Sequence, residues 1–103
     1  MKKQLVKFVL LLSILCVSSV GWAKRPVILF IGDSLTEGFG IDKDKAYPKL
    51  IQKILKSNHQ KEVDILNAGV SGSTTASAVS RLRWFIKKNP DLVVLALGAN
   101  DGL

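Results

Sequence analysis

Apolar residues run without alternation through two segments, Val27 to Ile31 and Leu92 to Leu97. Strands covered by helices on both faces show this pattern, so both are expected to be interior strands of a parallel sheet. Between them, Val63-Asp64-Ile65-Leu66 is shorter and interrupted by a charge, which suits a strand nearer the edge. A different period separates the strands. Tyr47, Leu50, Ile51, Ile54 and Leu55 recur at steps of three and four, with lysines and Gln52 opposite, and predict an amphipathic helix. Pro48 fits its first turn, and Asp44 is the expected cap. A second helix is predicted from caps among Ser73, Thr74 and Thr75, with Ala76, Val79, Leu82 and Ile86 on one side. Asn89-Pro90 stops it, Lys87 and Lys88 suit its negative end, and Trp84 and Phe85 are expected in the core.

The order strand, helix, strand, helix, strand gives parallel strands and right-handed crossovers, hence an α/β domain. No repeat or low-complexity segment interrupts it. Were Leu103 the end of the fold, Leu92 to Leu97 would have little to cover it and would expose an apolar edge. Residues 24–103 are therefore expected to be the N-terminal part of a larger domain, holding its first three strands and two helices.

The first 23 residues follow a different plan. Lys2, Lys3 and Lys7 open the chain without an acid, Phe8 to Val20 is apolar apart from serines, and Gly21-Trp22-Ala23 closes it with small residues at the two positions a signal peptidase reads. A signal peptide over residues 1–23, cleaved after Ala23, implies export to a periplasm or beyond. A retained anchor fits less well, because the apolar run is short of the roughly 20 residues that span a bilayer. Cys16, the single cysteine, lies in this leader, so the mature chain has neither disulfide nor thiol. Leu15 before it argues against a lipid-bearing cysteine.

Charge excludes one class of partner. The formal +7 includes three leader lysines; the remaining twelve basic residues face eight acids and leave +4. Lys43, Lys45, Lys49, Lys53, Lys56 and Lys61 spread around one helix without interleaved aromatics, a solvated face and not a nucleic-acid stripe. At most a transient contact with an anionic membrane surface follows.

Ligands of open parallel sheets gather beyond the carboxyl ends of the strands. There this chain has Gly32-Asp33-Ser34-Leu35-Thr36-Glu37-Gly38, then Asn67-Ala68-Gly69-Val70-Ser71-Gly72-Ser73-Thr74, then Gly98-Ala99-Asn100-Asp101-Gly102. Each is explicable singly as turn and cap chemistry. Together they bring a hydroxyl, a bare backbone amide and a side-chain amide to one sheet edge, the set that acyl transfer needs. Ser34 is the candidate nucleophile, and the N–H groups of Ser34 and Gly72 with the Asn100 side chain are candidate oxyanion donors. Asp33 and Asp101 adjoin these residues in tight turns and are read as structural supports. His59, the sole histidine, sits in a polar connection leading into the second strand, which puts it at the opposite, amino end of the sheet. No cluster of metal ligands and no cofactor is implied: neither Gly-x-Gly-x-x-Gly nor a Gly-Lys-Ser/Thr phosphate loop occurs. A non-catalytic α/β module binding lipid, glycan or nucleotide stays open, since the fold alone would permit it.

The three blocks in this order, with Ala46-Tyr47-Pro48 between them and Gly-Ala-Asn-Asp-Gly-Leu at the end, resemble those of the SGNH, or GDSL-type, hydrolases. Within that family they are most similar to the branch of periplasmic arylesterases and acyl-CoA thioesterase I/lysophospholipase L1. The resemblance covers Lys24 to Leu103. It implies a three-layer flavodoxin-like sandwich with strand order 2-1-3-4-5, Ser34 as nucleophile, and Gly72 and Asn100 in the oxyanion hole. It also implies cofactor-free hydrolysis of small-molecule esters, thioesters or lysophospholipids through an acyl-enzyme. Ser73 departs from the aspartate frequent in this branch. The family's Asp-x-x-His block, which supplies the base and its orienting acid, is not among these residues, so this stretch alone is expected to be nearly inactive.

Overall fold

The computed structural model describes residues 1–7 and 23–103. The stretch from 8 to 22, with Cys16 and most of the expected leader, lies outside the described residues. Among the described residues, no helix is long and apolar enough to cross a membrane.

The chain runs β1 (Val27–Gly32), α1 (Ser34–Glu37), a 3-10 turn at Lys43–Lys45, α2 (Tyr47–His59), β2 (Asp64–Gly69), a 3-10 turn at Thr75–Ser77, α3 (Ala78–Phe85), a 3-10 turn at Ile86–Lys88, and β3 (Leu92–Ala96). The strands form one parallel sheet in the order β2-β1-β3. β1 is central, and its period of two sends side chains to opposite faces. On one face Leu29 and Ile31 join Ala68 in a buried cluster that Leu66, Leu97 and Phe85 of α3 pack against. On the other, Phe30 meets the ring of Tyr47 from α2 edge-on, with centroids 5.7 Å apart. Helices thus cover both faces, and the sheet is that of an α/β fold with the expected 2-1-3 order.

Four local expectations differ. β2 is longer than its apolar run, reaching Gly69, because Asn67, Ala68 and Gly69 pair with Phe30, Ile31 and Gly32. β3 is an edge strand among the described residues, not an interior one, and leaves Leu92, Val93 and Leu95 exposed. Asp44 does not cap α2. It lies in the preceding 3-10 turn, and Ala46 starts the helix with its carbonyl taking the N–H groups of Lys49 and Leu50. Finally, α3 is turned relative to its apolar stripe. Ala78, Arg81 and Phe85 are its half-buried side, whereas Val79, Leu82, Ile86 and Trp84 are exposed. Arg81 accounts for the rotation, since its guanidinium reaches inward to carbonyl oxygens of the sheet.

Candidate active site

Construction of the site begins where β1 stops. Asp33 is extended and only 5% exposed, and its Oδ1 accepts the Leu35 N–H at 3.0 Å, which caps α1. Ser34 is the first residue of that helix, half-buried, and its N–H has no intrahelical partner by construction. The helix is held from below by Thr36, which is fully buried and shares a 2.8 Å hydrogen bond between its Oγ1 and the Tyr47 hydroxyl.

β2 supports the same turn from the side. A Cβ built on Gly69 would lie 2.6 Å from the Thr36 carbonyl carbon and 2.7 Å from Glu37 Cα, so only glycine lets α1 rest on the strand. Asn67 fastens the contact: its Nδ2 donates to Thr36 O at 2.8 Å, and its Oδ1 accepts the Gly69 N–H at 2.9 Å. The Val70 N–H then donates to Gly32 O at 3.0 Å, so the chain leaving β2 stays beside the end of β1.

Gly72 turns the next loop with φ of +77°, a left-handed conformation that side chains resist. Among the described residues its N–H has no protein acceptor. The residues on both sides are held. Glu37 Oε2 accepts the Ser71 N–H at 2.8 Å and also takes the Ser71 hydroxyl. Asn100 Nδ2 donates to Ser73 O at 3.0 Å. One residue further, Asp101 accepts the Thr75 N–H at 2.9 Å and its hydroxyl at 2.5 Å, so the start of the second helical segment is capped from the loop after β3 and not by Ser73, Thr74 or Thr75. These bonds depress both acids: the Ser71 hydroxyl, then its N–H, with Lys43 adding a smaller share, lower Glu37, and the Thr75 hydroxyl and N–H lower Asp101.

The loops after all three strands are therefore cross-linked at one edge of the sheet, with Ser34, Gly72 and Asn100 on them. His59 is elsewhere: it is the exposed last residue of α2, ahead of the start of β2. Among the described residues no group of three or more His, Cys, Asp or Glu gathers as metal ligands would. A concavity of about 750 Å³ lies over the α2 side of β2, lined by Lys49, Gln52, Ile65 and Asn67, and reaches this edge at Glu37 and Gly69. A smaller one of about 300 Å³ adjoins Asp33 and Leu35. Sequence reasoning missed Glu37, Asn67, Gly69 and Arg81. Asn67 alone carried a local signal, a polar residue continuing an apolar strand. The others become visible only when the loops are placed side by side.

Residues 30–103 match the GDSL-like Lipase/Acylhydrolase family. An arylesterase of Vibrio mimicus is 34% identical over 100 residues, covering 96% of this chain and 49% of that protein. The esterase TesA of Pseudomonas aeruginosa is 35% identical over 82 residues, covering 79% of this chain and 40% of its own length. Among solved structures, AlinE4, an SGNH-hydrolase family esterase, superposes with a TM-score of 0.70 at 38% identity, over 79% of this chain and 44% of that one. The chain thus spans about half the length, or somewhat less, of the curated relatives it matches.

Proposed function

The chain belongs to the GDSL-like lipase/acylhydrolase family, and from that premise we propose that it forms the nucleophile and oxyanion part of a serine ester hydrolase. The observation that carries the proposal is the anchoring of Asn100. One Nδ2–H is fixed on Ser73 O, and among the described residues neither the second nor the N–H of Gly72, in the loop it joins, has a protein acceptor. Two unpaired donors on cross-linked loops suit a developing oxyanion, each such donor being worth about 3–4 kcal/mol in the transition state.

In this mechanism the Ser34 oxygen attacks the acyl carbon of an ester or thioester and passes its proton to a base. The carbonyl oxygen, now negative, takes hydrogen bonds from Ser34 N–H, Gly72 N–H and Asn100 Nδ2–H. Collapse expels the alcohol or thiol, which takes the proton back from the base, and water then releases the acid from the acyl-serine by the same route. We place the base, a histidine oriented by an aspartate, outside residues 1–103. Asp33 and Asp101 act as supports, through the caps they form. The relatives' names, arylesterase and esterase among them, support small-molecule esters as substrates. The basic, apolar opening of the chain supports export before the protein acts.

A serine-directed fluorophosphonate tests the proposal on the whole protein. It should label the wild type at Ser34 and leave Ser34→Ala unlabelled. Labelling that persists in the variant removes Ser34 as nucleophile. A wild type that resists labelling favours a binding module without an activated serine.

A further inference from the structure

Arg81 projects from α3 into the carboxyl edge of the sheet. Its Nη1 donates to Gly32 O at 3.0 Å and to Ser73 Oγ at 3.2 Å, and its Nη2 donates to Ala68 O. The three acceptors sit at the end of β1, near the end of β2, and on the residue after Gly72. Gly32 is two residues before Ser34, so one side chain spans the strand end that carries the nucleophile and the loop that carries the oxyanion amide.

Two features distinguish this from a surface arginine. Arg81 is half-buried, and among the described residues it forms no salt bridge, so its charge is directed wholly at carbonyl and hydroxyl oxygens. Its fork is planar and rigid, which fixes the spacing of the groups it bonds in a way a single-point donor does not. The Gly72 position itself has little packing, since a Cβ built there would meet nothing within 4 Å. Hydrogen bonds to Ser71 and Ser73 therefore hold this loop, from Glu37, Asn100 and Arg81.

We infer that Arg81 is a positioning residue, which sets the Gly72 amide relative to Ser34 by bonding Gly32 O and Ser73 Oγ with one guanidinium. The inference rests on the hydrolase assignment above. Its consequence is a loss in the chemical step when the residue is changed, because an oxyanion donor displaced by about 1 Å costs on the order of 100-fold in rate.

The test uses the whole protein with a chromogenic short-chain ester, and measures kcat, KM, the rate of fluorophosphonate labelling and the melting temperature. Arg81→Met should lower kcat and labelling rate at least about tenfold with KM within about threefold. Arg81→Lys should recover part of the loss, because an ammonium can reach one acceptor but not fork across them. Ser73→Ala, which removes only the link to the loop, should lower kcat severalfold. A folded Arg81→Met protein with kcat and labelling rate within about twofold of wild type, or a loss confined to KM, would overturn the inference. If Arg81→Met does not fold, Ser73→Ala decides, and unchanged kcat in that variant overturns it too. Turnover that survives Ser34→Ala in the same assay would instead remove the hydrolase assignment beneath the inference.

Discussion

The side-chain amide of Asn100 donates to the carbonyl of Ser73 at 3.0 Å. This joins the loop after β3 to the loop after β2, next to Gly72, and uses one of the two N–H bonds of the amide. The remaining bond has its direction set by the first, the fixed orientation that the proposed oxyanion donor requires.

Replacing Asn100 by Ala removes the anchor and the free donor together. The expected outcome is a kcat lower by about 10²–10³ with fold retained, read from steady-state hydrolysis of a short-chain ester. Asn100→Asp should do no better, since a carboxylate has no N–H and would face the oxyanion with like charge. A variant of either kind with near-normal kcat would take Asn100 out of the site.

Thr36, fully buried, and Tyr47, half-buried, form a hydrogen-bonded pair beneath the turn that carries Ser34. Thr36→Val or Tyr47→Phe alone leaves a polar group without its partner and should destabilise by about 1–3 kcal/mol, whereas the double variant should lose less than the sum of the singles. Urea denaturation of the four proteins measures the coupling. Strict additivity would show that the 2.8 Å bond contributes nothing specific.

Gly69→Ala drives a methyl group into the backbone of Thr36 and Glu37, which no side-chain rotation can relieve. A loss of at least about 1–3 kcal/mol is expected, with lower soluble yield. Denaturant unfolding checks it, and wild-type stability would mean that α1 is free to move off β2.

Glu37 and Asp101 are both held below the ordinary carboxylate range by the groups they accept from. In the unfolded chain such acids bind protons near pH 4, before the native ones do. The stabilisation they give is thus complete above that range and is lost as pH falls through it and on through the lower native values. Melting temperature measured from pH 7 down to pH 3 should fall more steeply at the acid end for wild type than for Glu37→Gln or Asp101→Asn. Equal slopes would show that the two clamps do not contribute.

The parallel crossovers and the placement of three polar blocks at one sheet edge were legible because both depend on local pattern, whereas the strand order was implied by the family resemblance. Unbroken apolar runs mark β1 and β3, and helices between them fix the parallel crossovers. What the pattern could not show are properties of pairs distant in the chain. The stripe of Val79, Leu82 and Ile86 suggested which side of α3 faces inward, but Arg81 bonds to Gly32 and Ala68, 49 and 13 residues away, and turns the helix the other way. Gly69 was read as turn chemistry, yet its lack of a side chain matters because α1 lies on it. Asp101, 26 residues beyond Thr75, caps the segment for which a local serine or threonine was expected. In each case a long-range partner decides the local role.

The central claim is that Ser34, Gly72 and Asn100 grip one carbonyl oxygen. A crystal structure of the whole protein phosphonylated by a fluorophosphonate measures this directly. The phosphorus should be bonded to Ser34 Oγ, with its phosphonyl oxygen about 2.7–3.1 Å from the Gly72 nitrogen and Asn100 Nδ2. A phosphonyl oxygen turned to solvent, or held by other donors while these two stay distant, would contradict the account.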